Sequence, residues 1–323
     1  MHTASEPRSD LEPLLRCPAC RGRLERHGHR FRCGSDGCGA AYPVVNDVPV
    51  LIHEPNSVFS IADYEQQRDT FFKYSQLNPV LERLKRLLPE LYGSPNTHEN
   101  YRRLASLLLE TSSRPRVLVI GGSILGNGVE ELLAHPGIEL VDTDVAFGPR
   151  TRLICDAHDL PFADGSFDGV IAQAVLEHVV DPHRCVAEVH RVLQPQGLVY
   201  AETPFMYPAH GEPYDFTRFT LMGHRRLFRR FEEVGSGATG GPGSTLALVA
   251  HSFLRALARG RTMSRATTLV SRVLFGPLKW LDTLRLTNPV AFEAAAGFFF
   301  LGRRSDEILS DRELVRRYGR APA

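Results

Sequence analysis

Between residues 114 and 203 the chain repeats one pattern: a short apolar run, a glycine or an acid, then a helix-like segment. The runs are VLVI (117–120), IELVD (138–142), RLIC (152–155), DGVIAQA (168–174) and GLVYAET (197–203). Runs of this length, bounded this sharply, suit strands buried on both faces. Their alternation with helical segments predicts an α/β fold with a parallel sheet covered on both sides, because parallel neighbours need crossover connections. Asp181-Pro182 opens one such helix as N-cap and first-turn proline. Upstream, NPVLERLKRLLPELY sets Leu81, Leu84, Leu88 and Leu91 on one helical face after an Asn78-Pro79 start, and ENYRRLASLLLE reads likewise. With 43% hydrophobic and 23% charged residues the chain can bury a core, and a net charge of +1 argues against a general polyanion binder.

In an open parallel sheet, ligands bind beyond the carboxyl ends of the strands. After the first run, GGSILGNG supplies Gly121, Gly122 and Gly126 for a tight turn that lets backbone approach a ligand. Asp144, twenty-two residues beyond Gly122 and just past the second run, is placed to take both hydroxyls of a ribose. After the third run, the Asp156 carboxylate is placed to accept from an adenine amino group and the Ala157 N–H to serve a ring nitrogen. Asp168 reads as a structural turn acid. Glu177 and His178 follow the fourth run, with a cofactor-side role or a capping role at a helix start.

A separate module precedes these elements. Cys17 and Cys20 form a C-x2-C pair, and Cys33 and Cys38 a C-x4-C pair, with twelve intervening residues that suit a hairpin. Four thiolates so spaced favour a closed, structural tetrahedral Zn2+ site, and metal binding would supply folding energy that so short a segment lacks. His27 and His29 fall at the hairpin tip; Cys155 and Cys185 fall in apolar patterns and read as core. MHTASEPRSDLEPLL has no apolar stretch of signal-peptide length and no later run is long enough to span a bilayer, so the expected location is cytoplasmic, where clustered cysteines indicate metal rather than disulfides.

The segment 14–53, through LRCPAC, the second cysteine pair and YPVVNDVPVLI, resembles the zinc-ribbon family of the small activator protein of transfer-RNA and translation-factor methyltransferases, with C-x4-C in place of the usual second C-x2-C. From about 100 to 238, through VLVIGG, DAHDLPFADGSFDGVIAQAVLEHV and EVHRVLQPQGLVY, the chain resembles class I S-adenosylmethionine-dependent methyltransferases of the ubiquinone and menaquinone biosynthesis branch. That resemblance implies a Rossmann-like methyltransferase sheet whose last strand, within AGFFFLGRR, is antiparallel. It also implies S-adenosylmethionine as cofactor. Val119 replaces the acid of the family's first glycine motif, and QPQG replaces its KPGG turn.

A sulfonium methyl is already activated, so the protein mainly aligns the acceptor; a hydroxyl acceptor also needs a base. The loop after the fifth run offers Glu202, His210, Asp215 and Arg218 among Phe205, Tyr207 and Tyr214, with His210 as the expected base, oriented by Asp215. The expected organisation is a zinc-ribbon domain (1–55), helices (56–113), the methyltransferase domain (114–304) and a C-terminal helix and tail (305–323). A helical insertion (245–288) carries Arg255, Arg259, Arg261, Arg265, Arg272 and Lys279, a pattern suited to an anionic membrane, an acidic acceptor or a lid with a solvated basic face. The expected reaction is methylation of a small-molecule, glycan or lipid-linked acceptor, with no obligate protein partner. Two alternatives are RNA methylation, which the arginines between Arg16 and Arg32 suit but the balanced charge does not, and a non-catalytic binding module. A nicotinamide dehydrogenase fits least, there being no second nucleotide-binding half.

Overall fold

The computed structural model describes residues 11–68, 89–283 and 288–318. The first predicted helix, with Leu81, Leu84 and Leu88, lies outside them; Leu91 is described and is not helical. Four strands form the cysteine module: β1 (Leu24–His27), β2 (Arg30–Cys33), β3 (Ala41–Val45) and β4 (Val48–Leu51). Then come β5 (Arg116–Ile120), β6 (Glu139–Asp144), β7 (Leu153–Cys155), β8 (Phe167–Gln173), β9 (Leu193–Pro204), β10 (Phe231–Gly240) and β11 (Gly297–Arg304). Their order is β7-β6-β5-β8-β9-β11-β10, and β11 runs antiparallel to both neighbours, as expected for its segment.

On β5, Val117 and Val119 face one side and Leu118 and Ile120 the other, and all four are buried. The first pair packs under Tyr101, Leu104 and Leu108 of the Thr97–Thr111 helix, whose buried positions recur at helical spacing. The second pair packs with Val186 and Val189 of the Pro182–Val192 helix. Asp181 caps that helix, accepting from the Arg184 N–H at 3.0 Å. Asp168 ties the start of β5 by accepting from the Arg116 N–H at 2.7 Å.

β10 was not legible as a strand. FEEVGSGATG holds three glycines, so no side-chain alternation marks it, and its register against β11 shifts twice. A Cβ on Gly237 would stand 3.2 Å from the Phe299 ring, so the glycine admits that ring against the strand.

The cysteine module is not a separate bead. β4 pairs in parallel with β7 and extends the main sheet to eleven strands. Arg16 donates its N–H to the Pro161 carbonyl at 2.9 Å, and Arg21 bridges to Glu188 at 2.9 Å. Burial pushes the Glu188 carboxyl up, but Arg191 and Arg21 outweigh it and hold the group below the usual range.

Between β10 and β11 lie helices Pro242–Leu257 and Gly260–Phe275. Buried Asp282 accepts from the N–H groups of Gly241, Gly243 and Ser244 at 2.8–3.0 Å, capping the first helix from outside its own turn. No described helix is long and apolar enough to cross a membrane.

Candidate active site

A cavity of about 720 Å³ opens at the carboxyl ends of β5 to β9, within the size range of small-molecule sites. Gly121, Gly126, Asp144, Asp156, Ala157, Glu177 and His210 all line it; Gly122 and Asp215 do not. Gly121, at φ +75°, needs the left-handed region, and a Cβ there would stand 2.5 Å from Val175. Gly122 turns away, donating its N–H to the Thr143 carbonyl at 2.9 Å and lying so close to Asp142 that a Cβ would stand 2.9 Å from its carboxylate.

Asp144 accepts from the Ser123 N–H at 3.0 Å and the Ala146 N–H at 2.9 Å, so one carboxylate fastens the glycine turn to the end of β6. Burial raises its pKa, against those backbone donors. The acid expected to read a purine is more occupied than anticipated. One Asp156 oxygen takes the His158 N–H at 3.0 Å and its Nδ1 at 2.5 Å, and the other takes the Ser57 hydroxyl at 2.5 Å. Burial pushes Asp156 up, but His158 and Ser57 outweigh it and leave its pKa lowered. Ser57 comes from the exit of the cysteine module, and Val58 and Phe59 beside it form part of the cavity wall. Phe59 stacks on Tyr214 at 5.4 Å between centroids.

At the far side, Glu202 accepts from Tyr200 at 2.5 Å, Gln173 at 2.9 Å and Thr97 at 3.0 Å, while burial raises its pKa. Asp215 does not orient the His210 ring. Its carboxylate accepts from the His210 backbone N–H at 2.9 Å and pairs with Arg218, which holds its pKa low. The ring faces Glu177 instead, with Nε2 3.6 Å from Oε1, and that carboxylate raises the imidazole pKa against burial. Glu177 is fully buried, and neither of its carboxylate oxygens has a hydrogen-bond partner among the described residues.

In the cysteine module the four sulfurs lie within 4.8 Å of one another, with Cys17–Cys38 at 3.8 Å and Cys20–Cys33 at 3.3 Å. Gly22 lets the two knuckles approach closely: a Cβ there would stand 1.9 Å from the Ser35 hydroxyl and 3.0 Å from the Cys33 sulfur. A hydrogen bond from the Gly22 backbone and one from Cys33 lower the Cys20 thiol to about 6.

Residues 134–201, which run from the end of the first crossover to β9, match the family described as Methyltransferase domain. The chain carries a domain similar to class I S-adenosylmethionine-dependent methyltransferases. Within it, a ubiquinone/menaquinone biosynthesis C-methyltransferase from Desulfotalea psychrophila is 36% identical over 109 residues, covering 33% of this chain and 39% of that protein. An uncharacterized methyltransferase from Mycobacterium sp. (strain JLS) is 39% identical over 129 residues, or 38% and 51%. A demethylmenaquinone methyltransferase from Renibacterium salmoninarum is 35% identical over 123 residues, or 34% and 50%. The chain thus spans about half the length, or less, of these relatives. Phe59, His158 and Gln173, which line the cavity, and Ser57, which holds Asp156 at its rim, went unmarked in the sequence. His158 and Gln173 lay inside runs that drew notice, but neither the short-range bond of His158 to Asp156 nor the bond of Gln173 to Glu202 carries a sequence signal.

Proposed function

We propose that the chain transfers a methyl group from S-adenosylmethionine to a small-molecule, glycan or lipid-linked hydroxyl. The observation that carries this reading is the convergence of the glycine turn, Asp144 and the Asp156–Ala157 corner on one cavity. Asp144 keeps lone pairs toward the ribose while the turn's backbone approaches the methionine end. The Ala157 N–H and the edge of Asp156 flank the purine. Val58, Phe59, Tyr207 and Tyr214 surround the space beyond, excluding water from the transfer.

His210, facing Glu177, is the proton acceptor of this reading. Replacing it with alanine is expected to lower turnover about 10²- to 10⁴-fold while S-adenosylmethionine binding persists. Since a base acts only when unprotonated, the wild-type rate should rise with pH through the raised His210 pKa, and the variant's profile should lose that limb. Unchanged turnover in single-turnover assays would remove the assignment.

The cysteine cluster is proposed to hold a structural Zn2+. Around a tetrahedral ion with bonds of about 2.3 Å, sulfurs stand about 3.8 Å apart, close to the spacing present. The ion would fix a module whose exit supplies Phe59 to the cavity wall and Ser57 to the Asp156 carboxylate.

The insertion supports a second, peripheral role. Phe253, Leu257 and Trp280 are exposed at 60–65% beside exposed Arg255 and Arg259, an arrangement suited to an anionic membrane surface. Flotation with phosphatidylglycerol-containing vesicles is expected to carry the protein, and Phe253→Ser with Trp280→Ser to leave it at the bottom. Failure of the wild type to float leaves these helices as a lid.

A further inference from the structure

We propose that Glu177, His178 and His210 form a binding site for a divalent transition-metal ion at the acceptor end of the cavity. Their ligand atoms lie within 4.8 Å of one another, with Glu177 Oε1 3.8 Å from His178 Nε2 and 3.6 Å from His210 Nε2. These separations are too long for hydrogen bonds, which would draw the atoms to about 2.9 Å. They are close to the roughly 3.4 Å that separates two ligands on a tetrahedral ion with bonds near 2.1 Å.

The hydrogen bonds behind the rings set their tautomers. His178 Nδ1 faces the Tyr214 carbonyl, and His210 Nδ1 faces the Pro208 carbonyl at 3.2 Å. A carbonyl can only accept, so each Nδ1 carries the proton and each Nε2 presents a lone pair toward Glu177. A ligating histidine whose other nitrogen is held by a carbonyl is the usual outer-shell arrangement of metal sites. Arg218 Nη2 also lies 3.4 Å from His210 Nδ1, but it donates at much shorter range, 2.7 Å, to the Asp215 carboxylate. The result is three electron-pair donors around one point, one of them a fully buried carboxylate with neither oxygen hydrogen-bonded among the described residues. Neighbouring Glu202, saturated by three donors, adds negative charge and no cation. With both imidazoles neutral the buried carboxylate is uncompensated, which is costly, and a cation at this point removes the cost.

Two imidazoles and a carboxylate suit Zn2+, Fe2+ or Mn2+, and three protein ligands leave coordination positions toward the cavity. This part rests on the methyl-transfer reading: an acceptor hydroxyl taking such a position loses its proton to solvent more readily than in water. Its oxygen then bonds to the methyl carbon as the sulfonium S–C bond breaks, leaving S-adenosylhomocysteine. With the ion bound, His210 is a ligand and coordination replaces it as the means of activating the hydroxyl.

The test is titration of the intact, zinc-loaded chain with Mn2+, followed by loss of the free-ion electron paramagnetic resonance signal. Mn2+ prefers nitrogen and oxygen donors, so the thiolate cluster does not compete. One Mn2+ per chain is expected, weakened at least about 100-fold in His210→Ala and in Glu177→Gln. His210 is partly exposed, so its variant remains decisive if the buried substitution fails to fold. Absence of binding by the wild type, or equal binding by His210→Ala, overturns the proposal; it would leave Glu177 to face only the sulfonium. S-adenosylmethionine titrated into the same samples reports separately on the methyl-transfer reading. Mn2+ bound without nucleoside heat would remove the donor and keep the metal site.

Discussion

Replacing Asp144 with asparagine is expected to weaken S-adenosylmethionine binding by about 100-fold or more, the loss of roughly 3 kcal/mol from charged hydrogen bonds to two ribose hydroxyls. The substitution is nearly isosteric but opposes the local donors. The native carboxylate accepts from the N–H groups of Ser123 and Ala146, and an amide has one oxygen for two such partners. Part of the loss therefore comes from loosening the glycine turn. A pH series on the wild type separates the contributions. Burial raises the Asp144 pKa, so nucleoside affinity, which needs the carboxylate, is full at neutral pH and falls as pH drops through that raised value. Affinity equal to wild type in Asp144→Asn at neutral pH would mean that the ribose is held elsewhere.

A comparably large effect is expected from Cys17→Ser. Cys17 is fully buried, and its sulfur lies 3.8 Å from Cys38 and 3.3 Å from the Tyr42 hydroxyl. Structural zinc in small modules contributes about 10–16 kcal/mol of apparent binding energy at neutral pH, far more than β1 to β4 could recover by burial alone. The damage should not stop at the module. β4 continues the sheet beyond β7, and Ser57 holds the Asp156 carboxylate from the segment after β4. Zinc content should fall below one per chain, hydrogen exchange should accelerate across β1 to β4, and cofactor affinity should drop with it. A variant that keeps protected amides and full affinity would show that the sulfurs fold the module without metal.

Much of the frame was legible because its signals are local. The runs of β5 to β9 are short, apolar and bounded by glycine or acid, and Cys17, Cys20, Cys33 and Cys38 carry their spacing openly. Where the reading fell short, the deciding contacts join distant segments. β10 hides behind glycines that accommodate Phe299. Asp215 sits near His210 in sequence, yet its carboxylate is spent on Arg218 and on the loop backbone, and the ring is met by Glu177, thirty-three residues earlier. Ser57 and Phe59 have no periodic or motif signal at all. They matter because the parallel pairing of β4 with β7 brings Phe59 to the cavity wall and Ser57 to the Asp156 carboxylate.

The nucleoside seat is tested most directly by calorimetric titration of the intact chain with S-adenosylmethionine at neutral pH. One site per chain with a measurable heat, abolished by Asp144→Asn, is the result expected. No heat from the folded wild-type chain would contradict it, and the proposed methyl transfer with it.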